Sequence, residues 1–272
     1  MTVPPHHLPS SPPRLVVSDL DGTLLRSDGT VSDRTRAALA AAEEAGATVV
    51  FATGRPPRWM RPVAEQTGHR GIAVCSNGAL VYDLHQEQVV QRFPLSPEIG
   101  RSVVGSIRAA IPGVSFGVES GDRFGHEETY VIDGDVASET YVGEISDLLG
   151  QPMVKLLVRH DTYHPDELLA KARKAAGHLV ELTHSSEVGL LEISAQGISK
   201  ATTLAALCDE RGIDPAEVVA FGDMPNDLAM LAWAGTAFAM ATAHPEVLAA
   251  VERRCPSNDE DGVAHVLESI YL

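Results

Sequence analysis

Apolar runs alternate with helical stretches in the first part of the chain, and this rhythm limits the fold more than any other feature. Arg14–Ser18, Ala47–Ala52 and Gly71–Cys75 are short runs rich in Val and Ala, the pattern of strands buried on both faces. Between them, Ser32–Ala45 is alanine-rich, with Ser32 or Asp33 placed to cap its start and Gly46 to stop it. Pro57–Thr67 opens on a proline, which suits a first helical turn. A βαβαβ succession predicts a parallel sheet with helices on its faces. Leu24–Ser32 reads as a hairpin, because Asp28-Gly29 is a strong tight-turn signal.

From Ile198 the alternation returns: helix Lys200–Arg211 stopped by Gly212, strand Val218–Phe221, helix Asn226–Ala234, strand Thr236–Met240 and helix Pro245–Val251. The middle third is different. Hairpin-like Val114–Val118, Tyr130–Ile132 and Val154–Arg159 mix there with helices over Pro97–Ala110, Ser138–Leu149 and Pro165–Ala176. The expected organisation is an α/β core of residues 14–83 and 190–272 carrying an α+β insert over 84–189. A proline-rich tail, 1–13, precedes it, too poor in apolar residues to order; His6 and His7 belong to that tail rather than to a metal site.

Bulk properties remove several function classes. With 21 basic against 37 acidic residues, a net charge of −16 repels nucleic-acid phosphates and anionic lipids. Neither nucleic acid nor membrane is an expected partner. Cys75, Cys208 and Cys255 are odd in number, far apart and outside any metal-ligand spacing, so they read as core residues of a reducing compartment. No run of about 18 apolar residues occurs and the start lacks a signal-peptide core, which points to a cytoplasmic protein.

Where the strands end, the sequence turns polar. Ligands of open parallel sheets bind beyond the carboxyl ends of the strands, and four strands here run into SDLDGT, ATGR, SNGA and FGDMPND. Convergence would set Asp19 and Asp21 against Asp223 and Asp227. Such a concentration of carboxylates repels itself unless a hard divalent cation sits among them, and an oxygen-only donor set suits Mg2+ with a phosphate. Each cluster also has a plainer reading. A lone DxD occurs in solvated loops and in glycosyltransferase-type metal sites; Thr53 can cap a helix; Lys200 can be a surface lysine; Asp223 can cap and Asp227 decorate a helix; Asn77 can stabilise a turn. Position argues for function: Gly22 permits a tight turn beside Thr23, and a lysine beside the positive end of a helix is poorly placed unless an anion joins it.

Together, D19-L-D21-G-T, A-T53-G-R55, Lys200 opening a helix and G-D223-M-P-N226-D227 resemble the haloacid dehalogenase superfamily of phosphohydrolases. SNGALVYD, GISKATTL and NDEDGVAHVLE are similar to its Cof-type branch, subfamily IIB, whose Rossmann-like core carries a large α/β cap of the C2B type. The resemblance covers roughly 14–83 and 190–270; in the insert it rests on size and position. It implies a Mg2+-dependent phosphatase of small phosphomonoesters, a sugar phosphate or similar metabolite, working through an aspartyl-phosphate. Asp19 would be the nucleophile and Asp21 the acid and then the base, its protonated form favoured by crowding carboxylates. Thr53, Gly54, Lys200, Asn226 and Asn77 would cradle the phosphate, and Asp19, Asp21 (through its carbonyl), Asp223 and Asp227 would serve the metal. Asp227 would orient Lys200 or a metal-bound water.

Where many relatives have MGNA this chain has MATA, with Thr242 for the usual asparagine, so that loop is outside the expected site. Glu119, Arg123, His126 and Glu127 read as a solvated stretch of the cap. A sugar-phosphate phosphotransferase or mutase, and a non-catalytic phospho-ligand binder, are the alternative readings. The expected assembly is a monomer or weak homodimer.

Overall fold

The computed structural model describes residues 8–9, 11–132, 140–151, 153–186 and 188–272. Most of the expected tail, including His6 and His7, lies outside them. The first strands are β1 (Leu15–Ser18), β2 (Thr48–Ala52), β3 (Ile72–Cys75), β4 (Leu80–Asp83) and β5 (Gln88–Arg92). The middle of the chain gives β6 (Ser115–Glu119), β7 (Phe124–His126), β8 (Thr140–Val142), β9 (Lys155–Arg159), β10 (Val180–Thr183) and β11 (Leu190–Ala195). The last are β12 (Val218–Gly222), β13 (Thr236–Met240) and β14 (Arg254–Cys255). Helices α1 (Asp33–Glu44), α2 (Arg61–Thr67), α3 (Pro97–Ala110), α4 (Ile145–Leu148) and α5 (Pro165–Ala176) are followed by α6 (Lys200–Arg211), α7 (Leu228–Trp233), α8 (Pro245–Ala250) and α9 (Gly262–Tyr271).

Two sheets result. The larger has the order β14-β13-β12-β1-β2-β3-β4-β5, parallel from β14 to β3 and antiparallel beyond. Its central strands, LVVS and VVAFG, are buried at every position, as expected for a sheet covered on both faces. The smaller sheet, β10-β11-β9-β6-β7-β8, is antiparallel apart from the β7–β8 pair. Each sheet has its own apolar cluster, one around Phe51, Phe221 and Phe238, the other around Phe116, Leu156 and Ile193. Among the described residues, no helix is long and apolar enough to cross a membrane.

Several expectations change at the level of elements. β5, read as part of the insert, pairs with β4 and extends the larger sheet; β11, read as core, pairs with β9 and β10. The boundaries at 84 and 189 therefore do not coincide with the change of sheet, since an apolar pattern announces a strand and not the neighbour it will pair with. Of the helix expected over Ser138–Leu149, residues 138–139 lie outside the description. The rest is β8 and the single turn α4, because Gly143 interrupts a β-branched stretch. Tyr130–Ile132 is not a strand; β7 takes the place beside β6. Pro57–Thr67 divides into a 3-10 turn, Pro57–Trp59, and α2. Asp28-Gly29 makes its turn, with the Arg26 amide donating to the Thr30 carbonyl at 2.9 Å, but no strands flank it.

Candidate active site

Because β12, β1, β2 and β3 are adjacent and parallel, the residues that follow them emerge along one edge. Asp19 follows β1, Thr53 follows β2, Asn77 follows β3 and Asp223 follows β12. Helix α6 begins at Lys200, with Ser199 capping it by accepting from the Thr202 amide. Its start is pressed onto the turn after β3: a Cβ at Gly78 would lie 2.3 Å from the Ser199 carbonyl oxygen, and Thr203 donates to the Gly78 carbonyl at 2.8 Å. This contact aims Lys200 inward, where only 1% of it is exposed.

The Lys200 ammonium lies between two carboxylates, donating to Asp19 Oδ1 at 2.5 Å and to Asp227 Oδ1 at 2.7 Å. Burial alone would pull its proton off, but Asp19 and Asp227 outweigh that and hold its pKa above the ordinary lysine value. Asp227 uses its other oxygen to accept from the amides of Asp223 (3.0 Å) and Met224 (3.1 Å). Both of its oxygens are thus engaged, and its arrangement shapes the loop and steadies Lys200. Asp223 accepts from the Thr23 hydroxyl at 2.8 Å. At Gly22 (φ +77°), a Cβ would stand 2.3 Å from Asp223 Oδ2, so only glycine leaves that carboxylate in place.

Three carboxylates, Asp19, Asp223 and Asp227, each place an oxygen within 4.8 Å of the others. One ammonium does not balance them. Burial, opposed by Lys200 and reinforced by Asp227, Asp223 and Asp21, holds the Asp19 carboxyl well above the usual carboxylate range. Burial and then Asp227 push Asp223 up to about 7. Buried, oxygen-only donors with unbalanced negative charge fit a hard divalent cation, and the cluster can hold a metal.

Asp21 stands at the rim of the cluster. Its carboxylate is more than half exposed and is gripped by Arg55, Nε to Oδ2 at 2.8 Å and Nη2 to Oδ1 at 2.5 Å. Thr53 is fully buried, its hydroxyl accepting from the Arg55 amide at 3.0 Å and its carbonyl from the Asn77 amide at 3.0 Å. Asn77 (φ 56°) adopts the left-handed conformation that asparagine tolerates, and its Oδ1 accepts from Asn226 Nδ2 at 3.0 Å. Thr242 is exposed, in a turn after β13, and takes no part.

The smaller sheet covers this edge. Lys155 donates to the Gly54 carbonyl at 2.8 Å and to Glu192 at 2.6 Å, and Ser185 donates to the other Glu192 oxygen at 2.6 Å. Although burial opposes it, Lys155 holds the Glu192 carboxyl below its usual value. Arg58 makes a two-pronged pair with Glu119 at 2.6 and 2.7 Å. A pocket opens between the two layers, with Asp19, Asp21 and Asn226 on one side, Lys155, Arg159 and Glu192 on the other, and Trp59, Phe124 and Tyr130 in its walls.

Sequence reasoning missed Arg55, Arg58, Lys155 and Glu192. Glu192 had a signal, a lone charge inside the apolar strand LLEISA, and Lys155 opens the otherwise apolar run LLV of β9. Glu119, read as solvated, is 3% exposed and lines the pocket. The residues beside it are structural: Glu127 pairs with Arg108 and accepts the Phe116 amide, His126 is buried, and Arg123 lies over the Tyr141 ring at 5.4 Å.

Comparison with known proteins points the same way. A family model described as haloacid dehalogenase-like hydrolase matches residues 16–267. The chain is similar to the 5-amino-6-(5-phospho-D-ribitylamino)uracil phosphatase YitU of Bacillus subtilis, 27% identical, with 95% of this chain and 98% of the relative covered. It is 28% identical to the HMP-PP phosphatase of Cronobacter sakazakii over 87% of each chain. A crystal structure of a haloacid dehalogenase-like hydrolase from Bacteroides thetaiotaomicron superposes with a TM-score of 0.74 at 28% identity, covering 95% of this chain and 99% of that one.

Proposed function

Since the chain belongs to the haloacid dehalogenase-like hydrolases and is a phosphoric monoester hydrolase of the Cof type, we propose that it hydrolyses small phosphorylated metabolites through a phosphoaspartate on Asp19. The observation that carries this reading is the position of Asp19, at the floor of a pocket shared by both layers, with Lys200 against one oxygen and Asp223 and Asp227 beside it.

Asp19 attacks phosphorus in line with the leaving oxygen; the P–O bond to that oxygen breaks as the Asp19–phosphorus bond forms. Once released from Arg55 and protonated from solvent, Asp21 gives that proton to the departing alkoxide, then takes one from the water that cleaves the phosphoaspartate and releases inorganic phosphate. An arriving phosphate competes with Asp21 for Arg55, which frees Asp21 for that duty. Lys200 lies where charge collects on the phosphoryl oxygens, and Asp227 keeps it there. Thr53 and Asn77, on the turns after β2 and β3, with Gly54 and Asn226, complete the cradle. Asp19 and Asp223 would hold a divalent cation, Mg2+ by the hardness of the donors, which neutralises phosphoryl charge. Trp59, Phe124 and Tyr130 favour a substrate with a planar ring beyond its phosphate, in keeping with the heterocyclic ester named for the B. subtilis relative.

The test is a phosphate-release screen over phosphorylated metabolites, with Mg2+ and after exhaustive chelation, on the parent and Asp19→Asn, with products analysed for free phosphate against isomerised ester. Phosphate should appear only with metal and only in the parent. Turnover by Asp19→Asn at the parent rate would remove the covalent route, and undiminished turnover after chelation would remove the metal.

A further inference from the structure

A second group of ligating side chains lies beside the pocket but outside its lining, where the two layers meet. Asp166, in the first turn of α5, His184, just after β10, and His244, just before α8, each place one ligand atom within 4.8 Å of the others. Asp166 Oδ1 is 2.8 Å from His184 Nε2, and Asp166 Oδ2 is 3.6 Å from His244 Nε2. The two imidazoles meet edge to face, with ring centres 5.6 Å apart. Asp166 and His184 come from the cap side, whereas His244 is rooted in the larger sheet, its backbone amide donating to the Asp223 carbonyl at 2.8 Å.

His184 is the telling member. It is 1% exposed, one ring nitrogen faces Asp166, and the other, Nδ1, has no hydrogen-bond partner among the described residues. Burying an imidazole with one nitrogen unmatched is costly, and packing alone would be served better by an apolar ring, so the position keeps this ring for Nε2, the nitrogen that faces Asp166. Two imidazoles and a carboxylate form a donor set suited to borderline transition ions such as Zn2+, and unlike the oxygen-only cluster around Asp19 it does not suit Mg2+.

We propose that Asp166, His184 and His244 form a transition-metal site, of the Zn2+ class, that pins the cap to the core. Around a tetrahedral ion with bonds of about 2.0–2.1 Å the donor atoms stand about 3.3 Å apart, so ligation asks them to close by no more than about 1.5 Å. Asp166 is part-exposed and has room to turn. Both histidines bind as neutral rings, and any proton they carry leaves to solvent. Water takes the open position. Substrate enters between cap and core, so an ion on this seam slows exchange and inhibits turnover without displacing a ligand of the Asp19 cluster. The inhibitory part rests on the phosphatase reading; the binding part does not.

The test titrates Zn2+ calorimetrically into the full chain saturated with Mg2+, for the parent, D166N, H184Q, H244Q and D223N. One equivalent should bind to the parent and to D223N, and binding should weaken at least tenfold in D166N and H244Q. These two positions are less buried than His184, and each variant's thermal melt reports whether it folds. In phosphate release, Zn2+ should inhibit the parent, while H244Q keeps the parent rate and loses the inhibition. Parent-like Zn2+ affinity in both D166N and H244Q would overturn the site. Weakened binding with unchanged inhibition would overturn the pinning. If no phosphate ester is turned over at all, the proposed function fails, and the calorimetric comparison still decides the site.

Discussion

Arg55 holds Asp21 by both carboxylate oxygens, in the two-pronged geometry that makes arginine–carboxylate pairs strong and directional. The group proposed as proton donor is thus tied to Arg55 before substrate arrives, and its duty begins when Arg55 turns to the phosphate and Asp21 takes up a proton. Asp21 is also the one carboxylate of the four that stands at the solvent-facing rim, where a leaving group would depart.

Loss of Asp21 should therefore hurt unequally. A sugar alkoxide needs its proton to leave, whereas nitrophenolate does not. In Asp21→Asn, kcat/KM should fall by about 10²–10⁴-fold for a sugar phosphate and far less for nitrophenyl phosphate. Steady-state kinetics on both esters checks this, with acid-quench trapping of phosphoenzyme. Equal losses would make Asp21 a structural residue.

Metal binding should strengthen with pH through the neutral range. Asp223 is pushed up to about 7 by burial and by Asp227. The metal-free native state keeps a proton that the unfolded chain releases from about pH 4 upward, so this group's contribution to stability is present at low pH and lost as pH rises to about 7. A cation binds the ionised form, so its apparent affinity should fall by up to about tenfold per pH unit below that value. The Mg2+-induced rise in Tm should be larger near pH 8 than near pH 5.5; an equal rise would show that Asp223 does not titrate with binding.

Gly22 and Gly29 provide a matched pair. Their φ values are +77° and +79°, but an added Cβ meets Asp223 at Gly22 and nothing within 4 Å at Gly29. Either alanine should cost about 1–2 kcal/mol of backbone strain. Gly22→Ala should in addition displace Asp223 and remove metal-dependent turnover, while Gly29→Ala keeps it. Denaturant melts and phosphate release on both variants decide the matter.

Lys155 and Glu192 should behave as a buried pair. Both side chains are about 5% exposed, at 5% and 6%. Lys155→Met leaves the Glu192 charge uncompensated and should destabilise the protein by about 3–5 kcal/mol, whereas Lys155→Met with Glu192→Leu should recover most of that loss. Urea denaturation of the single and double variants measures both. A mild single variant would mean that the neutral donors Ser185 and Asn77 satisfy Glu192 without Lys155.

What was legible in the sequence was what short-range pattern determines. Buried strands alternating with capped helices specified the parallel sheet, and parallel strands put their polar ends at one edge, which brought Asp19 to Asp223 without further information. Lys200 was visible because a cation at a helix start is out of place without an anion. The grip of Arg55 on Asp21 was hidden, since it depends on how one long side chain turns within a site already assembled. β5 and β11 fell on either side of the expected boundaries at 84 and 189, because the sheet each joins is a tertiary choice. Glu119 looked like any loop carboxylate until Arg58, sixty-one residues away, came to meet it.

The position of β1 has a consequence for how the molecule is made. One flank pairs with β2, only a helix away, but the other pairs with β12, which lies beyond the whole smaller sheet. During synthesis the strand that leads into Asp19 leaves the ribosome early and keeps an apolar, unpaired edge until most of the chain has followed. Pairings this distant form slowly, and an exposed edge invites the wrong partner in the meantime. The last strands to be made therefore both finish the pocket and end the period in which the nascent chain is most prone to aggregate.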